Sequence, residues 1–340
     1  MKIIKKKFGE QSTLFILKND HQVELAVTDF GARIVSLKVP VDGELRETVL
    51  GFDTEQEYRE ADTYIGATIG RFAGRIKNGR FTIDGTEYQT DTDPKSGHTL
   101  HGGDGFDTFI WAAEPVVEKE RAGVVFSLAS KDGSAGFPGT LQVTVTYWLT
   151  NGNEWLVEYA AHTDRATLYN PTNHVYFNLE GDATRPVDEH VLKLQSKEYV
   201  AVDSEVIPTG EIVPVAGTNF DFTQGKTLGE FFVQVNAQSS GIDGLDHPFI
   251  LSEEQPQAVL TSADSKVSVE MTTDDPAVVI FTANFGSQGP TMRGQKLVHH
   301  GGITLETQVP PGVTDYPEWG SAILRPEKDM NKRTIYRLIF

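Results

Sequence analysis

Apolar and polar residues alternate with a period of two along much of the chain, the pattern of strands that bury one face. Residues 141–149 show it most clearly. Leu141, Val143, Val145, Tyr147 and Leu149 point one way, and Gln142, Thr144, Thr146 and Trp148 the other. Similar runs occupy residues 14–17, 23–27, 34–39, 124–128, 155–161 and 191–194. Between such runs, Asp42-Gly43 and Asp84-Gly85 accept the positive φ angles of tight hairpins, and Asn151-Gly152 separates two alternating runs. Helical signals are short. Thr54 with Glu57 forms a capping box that opens about two turns through Tyr58 and Glu60, and residues 227–232 suit a second short helix. Neither supplies the long helices that a parallel βαβ sheet requires. The pattern predicts an all-β protein, a large antiparallel β-sandwich with a few short helices, in which one concave sheet face stays wet. No linker-like segment or fixed-period repeat divides the chain, so residues 1–340 read as a single domain.

Charge narrows the partners. With 48 acidic and 30 basic residues the net charge is −18, a field that repels nucleic acid and anionic membrane surfaces and suits a neutral ligand. The basic start, Lys2 with Lys5-Lys6-Lys7, runs into Phe8-Gly9-Glu10-Gln11-Ser12 rather than an apolar segment, and no stretch reaches the length of a membrane span. Cysteine is absent, which removes disulfides, thiolate nucleophiles and Cys-ligated metals and fits a reducing cytoplasm.

Three polar clusters stand out from this background: Leu100-His101-Gly102-Gly103, the stretch from Asn170-Pro171 to Leu179, and Thr304-Leu305-Glu306-Thr307-Gln308. Strand parity puts His174, Tyr176 and Asn178 on one side, with Val175, Phe177 and Leu179 behind them. The same parity groups Thr304, Glu306 and Gln308 against Leu305, Thr307 and Val309. If the two polar faces meet in one groove, a carboxylate base faces an imidazole acid. A lone strand histidine is usually structural. His174 differs because Asn173, Tyr176 and Asn178 surround it and Asn170-Pro171 holds the preceding chain extended. His101 precedes glycines that let backbone approach a ligand closely. Asp246, between Leu245 and His247-Pro248-Phe249, reads as a site carboxylate or as the start of an Asx turn. Arg75 and Arg71 compete as a forked donor, with a salt bridge the plain alternative for each.

Other chemistries lack their signs. His98 and His101 fall on opposite sides of an extended chain, and the neighbours His299 and His300 point apart there, so no metal site is expected. No Gly-x-Ser-x-Gly elbow or Gly-x-Gly-x-x-Gly loop occurs, and Phe220 replaces the first glycine of a phosphate loop ending at Gly225-Lys226-Thr227. No nucleotide or other cofactor is expected.

Together with residues 29–34 (DFGARI), 49–53 (VLGFD), 132–139 (DGSAGFPG) and 281–285 (FTANF), in that order over nearly the whole chain, these clusters resemble the aldose 1-epimerase (galactose mutarotase) family. The resemblance implies a β-sandwich whose groove binds a free aldohexose such as galactose or glucose without a cofactor. In such enzymes the glutamate matching Glu306 is the general base at the anomeric hydroxyl O1, and the histidine matching His174 is the general acid at the ring oxygen O5. Residues matching Arg75, His101 and Asp246 hold the sugar, and Tyr176 joins the same wall. Two departures are visible: many members carry Asn-Arg in place of Gly74-Arg75, and some carry glutamine in place of Val279. Three alternatives stay open. A relative acting on a hexose 6-phosphate needs extra Lys or Arg at the groove. A glycosidase using Asp246 and Glu306 needs their carboxyls about 5 to 9.5 Å apart with the sugar between them. A non-catalytic carbohydrate-binding protein needs no acid–base pair. A monomer or homodimer is expected.

Overall fold

The alternating runs become strands that pair with their sequence neighbours, because the turns joining them are short enough to form hairpins. In the computed structural model, which describes residues 1–61, 64–103, 105–234, 238 and 241–340, three antiparallel sheets dominate. The strands Lys2–Lys7, Thr13–Lys18, Glu24–Thr28, Arg33–Val41 and Glu44–Glu47 form a five-stranded meander in chain order. A nine-stranded sheet has the order Ala112–Val117, Arg121–Ser130, Leu141–Thr150, Glu154–Thr163, Met330–Ile339, Ser268–Thr273, Ala258–Thr261, Val191–Leu194, Lys226–Thr227. The third sheet runs Pro208–Pro214, Ser196–Val202, Asp246–Leu251, Ala277–Phe281, Glu306–Gln308.

Turn chemistry explains the hairpins. Asp42 and Gly43 have φ of 52° and 86°, and Asp84 and Gly85 have 51° and 78°, the double left-handed geometry that a two-residue loop needs. At Asn151-Gly152 the left-handed residue is instead Asn153, with φ 60°, because that loop holds three residues. The two expected helices form at Glu55–Ala61 and Leu228–Phe232. Thr227 and Glu230 cap the second reciprocally, and the Glu57 N–H donates to Thr54 Oγ1 at the first. Among the described residues no helix is long and apolar enough to cross a membrane.

One main core lies between the sheets, with Leu17, Val27 and Ile34 from the first, Val124, Tyr147 and Trp155 from the second, and Phe249, Val278 and Ile280 from the third. All five apolar residues of the 141–149 run enter it. Trp148, on the opposite face, is nevertheless only 6% exposed: the Arg121 guanidinium covers its ring at 4.0 Å, and its Nε1 donates to Glu158 at 2.8 Å. The third sheet has two distinct faces. Phe249, Val278, Ile280 and Leu305 turn into the core, while Asp246, Pro248, Val279, Phe281, Glu306 and Gln308 line a cavity on the other side.

Behind this sheet lies a buried ion pair. Lys332 Nζ donates to both Asp275 carboxylate oxygens at 2.9 and 2.8 Å and to the Pro171 carbonyl at 2.7 Å. Thr307, the residue after Glu306, shares a 2.6 Å hydrogen bond with Thr334, which in turn meets Thr273 at 2.8 Å.

Candidate active site

Residues 170–179 do not run as one strand. Thr172–Asn173 pairs with Thr68–Ile69, and Tyr176–Phe177 pairs with Ile303–Thr304, leaving His174 in the break between two short ladders. The Asn170 side chain fastens this segment to the glutamate-bearing strand. Its Nδ2 donates to the Val309 carbonyl and its Oδ1 accepts from the Val309 N–H, each at 2.9 Å, so the amide imitates a neighbouring strand. On the glutamate side, Tyr336 donates to the Leu305 carbonyl at 2.8 Å, and Thr304 Oγ1 donates to Glu306 Oε1 at 2.9 Å. The outcome is a close pair: His174 Nε2 lies 3.4 Å from Glu306 Oε1, with side chains 6% and 3% exposed.

This pair opens on a cavity of about 330 Å³ whose wall contains all six residues picked out in the sequence, Arg75, His101, His174, Tyr176, Asp246 and Glu306. Tyr176 stacks on His174 at 5.0 Å between centroids, and His101 meets His174 edge-on at 5.1 Å. Arg75 NH1 lies 3.8 Å from Asp246 Oδ2. His101 sits at φ 53° and is held by Gly74, whose carbonyl accepts the His101 N–H at 3.0 Å and whose N–H donates to His101 Nδ1 at 3.3 Å. That contact leaves the ring proton on Nε2. Glycine suits this position. Its φ is +82°, and a Cβ would lie 2.6 Å from Pro311 Cγ, so an asparagine has no room without a shift of the chain. Val279, the other departure, sits in the wall directly across from Glu306 in the sheet register.

Several sequence readings resolve differently from the groove. Asn178 clamps a loop, donating to the Asp182 and Gly301 carbonyls at 2.9 Å, and Asn173 donates to Gly66 and Tyr147. Arg71 is buried among Ser130, Lys131, Pro138 and Thr167, so Arg75 alone of the two reaches the cavity. His98 turns to Asn78, whose N–H donates to its Nδ1 at 2.9 Å. The expectation for His299 and His300 is corrected: their ring centroids are 3.8 Å apart, because His300 adopts φ 55° and the chain there is not extended. Tyr64, edge-on to His101 at 4.6 Å, carries no sequence signal and joins the wall only through folding. Phe281 and Phe285 also line it, and the 281–285 stretch was the signal for them.

Burial drives the central pair toward neutrality. Withdrawal from water pushes Glu306 up to about 8; the Thr304 hydrogen bond opposes this and the Asp246 charge adds to it. The same withdrawal pushes His174 down to about 3 and holds His101 well below the usual imidazole range, the latter with help from His174 and Arg75. Burial raises Asp246 against the pull of Arg75. Between the two limits the His174–Glu306 pair carries one proton, placed either on the carboxyl or on the imidazole.

Residues 13–337 match the model of a family described as aldose 1-epimerase. The chain is 38% identical over 314 residues to an aldose 1-epimerase of Haemophilus influenzae, spanning 92% of this chain and 90% of the relative. It is 36% identical over 331 residues to a galactose mutarotase of Rattus norvegicus, spanning 95% and 93% of the two chains. The crystal structure of a galactose 1-epimerase from Lactobacillus acidophilus superposes with a TM-score of 0.87 at 28% identity, covering 99% of this chain and 98% of that one. With a groove that gathers the six residues picked out in the sequence around a buried histidine–glutamate pair, and a family match running over residues 13–337, the chain belongs to the aldose 1-epimerase family.

Proposed function

We propose that this chain, an isomerase of its family, interconverts the α and β anomers of a free aldohexose, galactose or glucose, with Glu306 as general base and His174 as general acid. The observation that carries the reading is the 3.4 Å contact between these two buried groups on the wall of a sugar-sized cavity. The Glu306 carboxylate takes the proton from O1 while the His174 imidazolium gives one to O5. The C1–O5 bond breaks and O1 becomes the aldehyde oxygen. Rotation about C1–C2 presents the other carbonyl face. O5 then attacks C1 as neutral His174 takes back its proton, and Glu306 returns one to O1. The resting pair is neutral with its proton on Glu306, so opening starts from the tautomer in which that proton has moved to His174 and returns the pair to neutrality as the ring opens. His101, with its proton on Nε2, and the Arg75–Asp246 pair offer donors and acceptors for the sugar hydroxyls.

Two features support this over the alternatives. Among the described residues lining the cavity Arg75 is the one Lys or Arg, its charge is already matched by Asp246, and the singly protonated His174–Glu306 pair adds no net charge, so the wall has no spare cation for a phosphate dianion. Asp246 and Glu306 both rise from one face of one sheet, whereas hydrolysis of a glycoside places its carboxyls on either side of the sugar. We also read the 340 residues as one unit, and the cysteine-free chain fits the cytoplasm.

Polarimetry tests the activity. Fresh α-D-galactose or α-D-glucose reaches its equilibrium rotation faster in proportion to added protein, without added metal or nucleotide; a rate equal to that of buffer refutes the reading. The pH dependence follows from the pair's single proton. kcat/KM stays level through neutrality and falls above about pH 8, where the pair loses its proton and with it the acid; the acidic limb lies near pH 3. An alkaline limb that survives Glu306→Gln contradicts this assignment.

A further inference from the structure

We infer that Gln308 reads one hydroxyl of the bound sugar through its side-chain amide, an inference that rests on the groove being the sugar site. Strand alternation places Gln308 on the same face as Glu306, two residues along, a step of roughly 6.6 Å. The side chain lines the cavity and is 0% exposed. Among the described residues neither its Nε2 nor its Oε1 has a hydrogen-bond partner. Several polar side chains nearby are paired: Thr304 with Glu306, Thr307 with Thr334, and Asn170 with both backbone groups of Val309. Thr172 Oγ1 and Asn173 Oδ1 on the contacting strand each lack a partner among the described residues but, unlike Gln308, belong to residues that do not line the cavity. Native structures seldom keep a whole amide buried and unpaired. Because the side chain lines the cavity, a small rotation of the amide toward the groove brings it to a molecule lodged there.

The chemistry of the amide selects the partner. Gln308 offers a donor and an acceptor side by side, and a hydroxyl is the neutral group that uses both. It has no proton to exchange, so it acts in binding and discrimination rather than in the transfers assigned to Glu306 and His174. Contact made equally in the ground and transition states changes KM and leaves kcat alone. A sugar lacking the contacted hydroxyl returns the amide to its unpaired state and is penalised for it.

Gln308→Met keeps the length of the side chain and removes both polar atoms. With the parent hexose, KM is expected to rise about tenfold while kcat stays within about twofold, and the melting temperature is unchanged or higher because no paired group has been lost. Across the 2-, 3-, 4- and 6-deoxy hexoses, one sugar is turned over equally well by wild type and variant, since the contact is already absent. Equal KM on the parent hexose overturns the inference, as does a loss of the same size for every deoxy sugar, or a lowered melting temperature with KM unmoved. Gln308→Leu repeats the measurement should the first variant not fold. Failure of the wild type itself in polarimetry refutes the sugar-site reading, whereas an active wild type matched by both variants refutes this inference alone.

Discussion

Glu306→Gln is expected to lower kcat for anomer exchange by about 10³-fold while the protein stays folded and binds sugar. Glutamine has the same shape and still accepts the Thr304 hydrogen bond, so the change removes proton transfer and little else. His174→Asn should cost a similar factor, because opening needs a proton delivered to O5 as one leaves O1. The double variant should fall little further than either single one, since the two groups act as a unit. Polarimetry gives the rates and circular dichroism the fold; single variants within about threefold of wild type would dissolve the assignment. A stability signature accompanies the loss. The folded-state pKa of Glu306 lies near 8 against an ordinary 4.5, so the wild type loses stability as pH rises from about 4.5 to 8, where the unfolded chain has released a proton that the native state keeps. Glu306→Gln escapes that loss, and its melting temperature relative to wild type should rise across that window.

Lys332→Met is expected to reduce unfolding free energy at neutral pH by about 3–5 kcal/mol, the cost of stranding a buried charge. The Asp275 side chain is 4% exposed and accepts from Lys332 through both carboxylate oxygens, with a further hydrogen bond from Thr307. Without the cation the carboxylate keeps its desolvation cost and loses its compensation. Burial already raises Asp275 despite Lys332, so the deficit of the variant should shrink as pH falls and the carboxyl takes up a proton. Pairing Lys332→Met with Asp275→Asn should recover much of the loss. Lys332 also holds the Pro171 carbonyl, near the start of the segment carrying His174, so the single variant should lose activity at a lower temperature than wild type. Urea titrations report the free energies, and a difference below about 1 kcal/mol would show that the pair is inert.

The architecture was legible in the chain because its signals are local. The 141–149 alternation, the Asp-Gly turns and the Thr54–Glu57 capping box each act over a few residues, and each formed where the pattern placed it. Parity along a single strand likewise put Glu306 beside Gln308 on the face turned to the cavity, and His174 and Tyr176 share that wall although a break separates their short strands. What alternation could not show is which faces meet. The break in the 170–179 segment, the Asn170 clamp on Val309 and the 3.4 Å pair join residues far apart in sequence.

The same divide separates residue type from role. Arg71 and Arg75 are alike as letters; only packing sends one among buried carbonyls and the other to Asp246. His299 and His300 come together through one left-handed φ that extended-chain parity does not foresee, and Tyr64 joins the groove with no pattern around it. Short-range stereochemistry sufficed for the strands and turns and for the chemical character of each face. Burial and long-range contact, properties of the assembled fold alone, decided which carboxylate is raised, which imidazole is kept neutral and where a sugar has room, because desolvation depends on everything packed around a group rather than on its neighbours in the chain.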